Sequence, residues 1–592
     1  MAKASRNVDE RYEEYRRMRG RLPDFYDDNG DQIAAPKYVY AITAVSTGSK
    51  KFTISGNHAT TINAAMVSSQ VRVNGSTGND ALYTTTDVSD VGGNTEITVA
   101  ETVSDATVDG NIFAGATPKI AYHSYVKRST AIEYVLCGTA YHILLWNTAA
   151  KTLAVKFTCS TPANVERWEF ETVNDRVYAT NNDDFVLWWN TSTIGNDFVN
   201  LDDDDDGAGG GADKGLGIGN SVYVTKARHL TTFENYLFVG YVTYTDGTVH
   251  SQRVHWCSLN DQQDWDETGS GDAGCKDFDS TPDFLMGFGK YADYLFVAKE
   301  KTVHRGWLVT ADTVFKWEES KAKVGCLSAD SIVNDKAGRL YWLASDYTIR
   351  EIDTPNSVSA QIDQTVKAIN PNYAKYAQAA FLDEIGQVAF SVTTDSNTEN
   401  NLVLSLDPVK LSWKIHEFAV RAWGSIRQTE VYDYDHLPFA TYADWGADWQ
   451  KYDTSVNQLN YPIILVSDYS GFTYDYNSAD KDNTDTFTGN LILGTTLTTP
   501  RSLDRFKRMN DGADFCFNHL AGATADIYVK CDGQKSWQSL GSVSLEGSDR
   551  DFVTVHLPFD VRARFFEFNI ESSDAFEFIG MIVQNFEFDG ER

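Results

Sequence analysis

The chain has 592 residues, with 51 Lys and Arg against 83 Asp and Glu and a formal net charge of −32. Such a surface repels nucleic acid and anionic membrane, and no uncharged apolar run approaches the ~20 residues of a membrane-spanning helix. The seven cysteines are scattered and form no CxxC pair, which fits buried free thiols in a reducing cytoplasm better than a disulfide framework or a zinc site.

Residues 1–36 differ in kind from the rest. The opening Met-Ala-Lys-Ala-Ser-Arg holds no apolar signal core. The stretch VDERYEEYRRMRGRLP then reads as a charge-dense helix stopped by Gly20 and Pro23. Its acids lead and its arginines trail, which suits the helix dipole. Its apolar face is thin (Val8, Tyr12, Tyr15, Met18), so the stretch is either a frayed terminus or an arm that orders only against another subunit.

Residues 37–117 turn to β. YVYAITAV, KKFTISG, QVRVNG, ALYTTTDVS and TEITVAE are five short strand candidates between Gly, Asn and Ser turns, and they make a small barrel or sandwich.

From 118 to 490 one pattern repeats, clearest between Phe233 and Trp317. A two-residue turn (Glu234-Asn235, then Ala292-Asp293) leads into an aromatic-aliphatic strand. A polar turn follows, then a second strand ending in Trp256 or Trp307, then a third segment carrying Trp265 or Trp317. Anchors of the first strand recur at Val135, Val177, Leu237, Leu295, Leu340, Val388 and Ile464. Units of about 40–50 residues are expected of a β-propeller, so the longer gaps hold insertions. One is 200–220, NLDDDDDGAGGGADKGLGIGN, too rich in glycine and charge to pack. The other, 425–461, sets Tyr432, Tyr434, Phe439, Trp445 and Trp449 among aspartates and reads as an interaction surface. Residues 491–592 alternate apolar and polar positions as an antiparallel sandwich does. The fold class is all-β: a propeller of about seven blades between a small N-terminal β domain and a C-terminal β-sandwich.

Catalytic and cofactor signatures fail on their surroundings. GSGDAG at 269–274 matches GxGxxG, but a polar loop precedes it and Pro282 follows, where a dinucleotide site needs a strand and a helix. Asp202, Asp204, Asp206 and Gly207 fall at positions 1, 3, 5 and 6 of a calcium loop, with Asp213 at position 12. A run of five aspartates generates that match by itself, position 12 asks for Glu, and the preferred reading is a solvated loop without a held ion. Asp433, Asp435 and His436 form a triple common in acidic loops. The histidines show no HxH or HExxH pair, and Asp246-Gly247-Thr248 is a bare turn rather than a sialidase-type SxDxGxTW repeat. The expectation is a non-enzymatic protein with no cofactor.

One stretch resembles a known family. Asn235-Tyr236-Leu237-Phe238-Val239-Gly240 is followed by Arg253-Val254-His255-Trp256-Cys257-Ser258, by Asp261 to Trp265 and by Ala273-Gly274. Then come Tyr294-Leu295-Phe296-Val297-Ala298-Lys299, Val303-His304-Arg305, Gly325-Cys326 and Leu340-Tyr341-Trp342-Leu343. In this order the motifs look like those of the β-propeller nozzle or hub proteins of short-tailed bacteriophages, and RFFEFNIES with FEFIGMIV is similar to the closing sandwich of the same proteins. Gln262 stands where that family usually has proline, and Asp346-Tyr347 replaces its usual Asp-Gly. The resemblance implies a virion tail component assembled in the host cytoplasm as a homo-oligomeric ring of six. Such a ring continues the DNA-ejection channel, holds tail adaptor and fibre proteins, and meets double-stranded DNA only in transit and without specificity. An acidic ring does not grip phosphate, which suits a duct. The competing reading is a carbohydrate-binding or glycan-degrading propeller enzyme on a tail, supported by the aromatic-acidic insertion 425–461. An intracellular scaffold propeller is a third.

Overall fold

The structure, a computed structural model, describes residues 19–21, 38–201, 214–426, 462–476, 489–495 and 506–588, less short segments at 66–69, 75, 80, 115–117, 129–132, 148–151, 162–163, 192, 270, 311–312, 321–323, 353–356, 384, 470–472, 520–521, 533, 547–551, 574–577 and 584–585. The insertion beyond residue 426, the aspartate run 202–213 and the acidic triple at 433–436 lie outside the described residues.

Among the described residues seven antiparallel sheets follow one another between residues 119 and 476, and they are the blades of a β-propeller. The first strands of the blades are Lys119–Val126, Glu169–Val173, Tyr223–Phe233, Leu285–Tyr291, Val333–Asn334, Gln378–Leu382 and Ala422–Ile426. Each lies against the first strand of the next blade, and the seventh lies against the first, so these strands line the axis of a closed ring. Apolar cores fill the gaps between blades. Leu136, Trp189 and Val177 join blades 1 and 2, and Phe238, Trp256 and Phe315 join blades 3 and 4. Val135, Cys137 and Trp146 of blade 1 pack against Ile426 and Leu465 of blade 7 and close the circle.

The seven sequence anchors sit in seven different sheets, but on the second strand of each blade rather than the first. The reason is burial. A second strand is covered on both faces by neighbouring blades. Glu133–Thr139, Leu340–Leu343 and Gln387–Val392 are buried at every position. Each fully buried large apolar side chain contributes about 1.5–3 kcal/mol, so these strands carry the strongest apolar signal. The first strands face the axis, and several, such as Glu169–Val173 and Tyr223–Phe233, are more polar, which hid them. Blades 2 and 3 enter their second strands through two-residue turns with both residues at positive φ, Asn174 (49°) and Asp175 (62°), then Glu234 (49°) and Asn235 (65°), the twist that suits tight hairpins. The Gly325-Cys326 pair marks the step from blade 4 to blade 5. A Cβ at Gly325 would lie 2.2 Å from the backbone oxygen of Lys299, and Cys326 N donates to that same oxygen at 2.8 Å.

The N-terminal reading needs correction. Arg19–Arg21 is not the end of a helix stopped by Gly20. It is a β-strand, paired antiparallel with Thr473–Tyr476 through the partners Arg19↔Tyr476 and Arg21↔Tyr474. It supplies the fourth, outermost strand of blade 7, from the same chain rather than another subunit.

Strands from Tyr38–Ser46 to Asn111–Ala114 form a closed six-stranded barrel. The last of these and the short helix Ala59–Ala65 were absent from the five expected strands. Its core holds Phe52, Ile54, Ile97 and Ile112. At the C-terminal end ten strands among the described residues make three antiparallel sheets around one core that includes Phe515, Phe517, Ile527 and Phe568. They begin at Gly489, slightly before the expected boundary at 491. Among the described residues no helix is long and apolar enough to cross a membrane.

Candidate functional site

The axis is where the propeller collects its charge. The first strand of blade 2 and the residues leading into it read Glu166-Arg167-Trp168-Glu169-Phe170-Glu171-Thr172. Trp168 turns away into the core between blades 1 and 2. Arg167, Glu169 and Glu171 alternate with it, as strand geometry requires, and meet side chains from across the ring.

All six other blades reach this one strand. From blade 5, Asp330 Oδ1 accepts from Arg167 Nη2 at 2.8 Å. From blade 3, His229 Nδ1 lies 3.0 Å from Glu169 Oε1, and Thr231 Oγ1 donates to Glu171 at 3.2 Å. From blade 4, Lys290 Nζ donates to Glu171 Oε1 at 3.1 Å. From blade 6, Lys375 Nζ and Tyr376 Oη each donate to Glu166 Oε1 at 2.9 Å. Arg421, at the edge of blade 7, donates to the Glu166 carbonyl at 3.2 Å. From blade 1, His123 Nε2 lies 2.7 Å from Thr172 Oγ1. The side chains of residues 166–172 thus form an ionic post across the axis.

The electrostatics follow from packing charges in a confined space. Burial opposes the charge on Glu169, yet Arg167 and His229 favour its ionised form, and it titrates below the usual carboxylate range. Asp330 shares the same guanidinium, but there burial prevails and the carboxyl is pushed up. Burial also drives His229 down to about 4. The ring is therefore neutral at neutral pH, with Nδ1 3.2 Å from Arg167 Nη1 and Nε2 3.3 Å from Leu285 O. Burial and the nearby Lys290 drive His123 to about 4.

Where the first strands begin, the axis opens into a cavity of about 470 Å³ lined by residues of blades 2 to 6, among them Asn182, Arg228, Phe284, Glu300, Asn372 and Lys375. Two carboxylates sharing one arginine, with their titrations pushed apart, form an acid–base pair in principle. The mouth itself offers amides and cations suited to a polar or anionic ligand.

The calcium candidates Asp202, Asp204, Asp206 and Asp213 lie outside the described residues. The short strands Val199–Asn200 and Leu216–Gly217 flank them. The 269–274 glycine match leads into a β-strand, Gly274–Asp277, and not a helix, so it builds no phosphate site. The axial residues were missed in the sequence. The signal was there: charges at alternate positions 167, 169 and 171 inside an otherwise apolar repeat.

The fold and the axis together define the class, a closed seven-bladed β-propeller with an ionic post along its axis. No protein-family model and no curated protein matches the sequence. Among solved structures the chain is similar to the WD40 domain of Pan2 from Neurospora crassa, at 9% identity and a TM-score of 0.31, over 62% of this chain and 91% of that one. It is similar to Hsv2 of Kluyvelomyces marxianus, at 9% identity and a TM-score of 0.25, over 51% of this chain and 97% of that one. A third likeness is to the dihydro-heme d1 dehydrogenase NirN, at 11% identity and a TM-score of 0.31, over 52% of this chain and 56% of that one.

Proposed function

We propose that this chain is a structural component of a bacteriophage tail, a nozzle or hub ring that continues the DNA-ejection channel and anchors neighbouring tail proteins. The ordered motif series from Asn235 to Leu343 carries the reading. It runs without a break from the second strand of blade 3 to the second strand of blade 5. The axial post refines it. Because blades 2 and 5 meet across the axis through Arg167 and Asp330, DNA does not thread a single propeller. The duct is the space between copies, six in the proposed ring, and its walls are outer surfaces of an acidic chain with net charge −32. Such walls do not neutralise phosphate and let DNA pass. Adaptor and fibre proteins are the proposed neighbours. The test is the location and copy number of the labelled protein in purified particles: a six-fold ring in the tail supports the reading, and absence from virions overturns it.

A second reading has one observation in its favour. The cavity at the axial mouth combines Asn182, Asn372 and Arg228 with the exposed ring of Phe284, a set suited to a sugar. Binding or cleavage of host-surface glycans by the isolated protein, lost in Arg228→Ala, would favour a glycan-directed propeller.

A further inference from the structure

We propose that His255, Glu267 and Cys275 form a binding site for one zinc-type divalent cation on the outer half of blade 3. His255 and Cys275 face each other across the third and fourth strands of that blade, Val249–Trp256 and Gly274–Asp277, in direct register. Opposed residues of an antiparallel pair rise from the same face of the sheet. Glu267 arrives from the loop that joins the two strands. One ligand atom from each residue lies within 4.8 Å of the other two, and His255 Nδ1 is 2.6 Å from Glu267 Oε1.

The loop is built to present Glu267. Just before it, Trp265 is buried and its Nε1 donates to Gln262 O at 2.9 Å. Just after it, Thr268 donates to Asp266 Oδ1 from both its backbone nitrogen, at 2.8 Å, and its hydroxyl, at 2.7 Å. The far side of the histidine is also held. His255 Nε2 lies 3.0 Å from Tyr244 Oη, which accepts from Arg253 Nη1 at 2.9 Å. Arg253 is in turn fixed by Asp277, Nε to Oδ1 at 2.6 Å. Metal-bound histidines are oriented in this way, their second nitrogen donating to a fixed acceptor.

The donor set selects the ion. One imidazole nitrogen, one sulfur and one carboxylate oxygen suit zinc and its neighbours, whereas calcium and magnesium take oxygen ligands. Ligand distances of about 2.0–2.3 Å require Glu267 to withdraw from His255 by about 1 Å. Its side chain is 24% exposed, which leaves room for that movement and a path for the ion and a water as fourth ligand. The bound ion would tie loop 257–273 to the sheet. The site is separate from the axial post and independent of the proposed tail role.

Full-length protein stripped with a chelator and titrated with Co²⁺ tests the assignment. One equivalent of cobalt with thiolate-to-metal absorption, displaced by Zn²⁺, is expected. The band should vanish in Cys275→Ser, weaken at least tenfold in affinity in Glu267→Gln, and persist in Cys516→Ser. No thiolate band at stoichiometric cobalt, or a band that survives in Cys275→Ser, overturns the site. If Cys275→Ser does not fold, Glu267→Gln decides: wild-type affinity in that variant overturns it as well.

Discussion

Lys299 sits at the end of the second strand of blade 4, and its side chain and that of Asp283 are 0% and 1% exposed. Its ammonium lies 3.1 Å from Asp283 and donates to the carbonyls of Phe278 and Thr281 at 2.6 and 2.8 Å. Every proton of the group is used, so the charge is tolerated. Lys299→Met removes the cation and leaves the carboxylate buried, a loss of about 3–5 kcal/mol. Denaturant melts check this, and a loss under about 1 kcal/mol would show that the pair is not buried as described. The axial histidines make a second prediction. His123 and His229 titrate near 4 in the native protein, against 6.5 for a free ring. At these two rings alone, the unfolded chain takes up below pH 6.5 two protons that the native chain refuses until about pH 4. Stability is therefore complete above pH 6.5 and falls as the pH drops toward 4, by about 1.4 kcal/mol per pH unit for each ring once its unfolded form is fully protonated. The first part of the fall precedes carboxylate titration and should appear between pH 6.5 and 5 as a shift of the urea midpoint. His229→Asn should remove one ring's share of that slope. A midpoint constant across this window would contradict the neutral assignment.

At the scale of elements, blade 7 is assembled from both ends of the chain's first 476 residues. Its three later strands expose the edge Thr473–Tyr476 until Arg19–Arg21 covers it. An unpaired edge is a liability in any sheet, and blade 7 also seals the ring against blade 1 through Ile426 and Leu465. Removing residues 1–36 should therefore lower the stability of the propeller itself by roughly 1–3 kcal/mol, a few ladder hydrogen bonds at about 1 kcal/mol each. An arm that orders only against another subunit would instead leave a chain starting at Lys37 folding normally and assembling poorly. Calorimetry separates the two outcomes: identical melting of full-length and shortened chains would favour the arm that orders only against another subunit.

For the whole molecule the decisive feature is the division of charge. Along the axis Arg167, Lys290, Lys375 and Arg421 meet Glu166, Glu169, Glu171 and Asp330 in near balance, while the chain as a whole carries −32. The excess acid therefore lies elsewhere in the chain. In the proposed ring this keeps phosphate from adhering, because retention requires Lys and Arg to displace counterions. At physiological salt the purified protein should retain no duplex DNA, with any Kd weaker than ~0.1 mM, the weak end of non-specific binding. Filter binding checks it, and micromolar retention would count against a passive duct.

The sequence by itself determined the all-β class and the repeat. Second strands such as Leu340–Leu343 are packed on both faces, so their whole length must be apolar, and that demand is written residue by residue. It also determined where a tight turn falls, since Glu234-Asn235 joins its strands through left-handed backbone. Three things were decided only by tertiary structure. The partners of Arg167 and Glu169 come from blades 60 to 163 residues away in sequence, and no local pattern names them. The pairing of Arg19–Arg21 with Tyr474 and Tyr476 joins distant ends through backbone hydrogen bonds, which carry no side-chain signature. His255 and Cys275 look unrelated at twenty residues' separation until antiparallel register sets them side by side. Local sequence fixes which faces must be buried. Ring closure fixes which charges must then find each other, because only there do seven first strands converge on one axis.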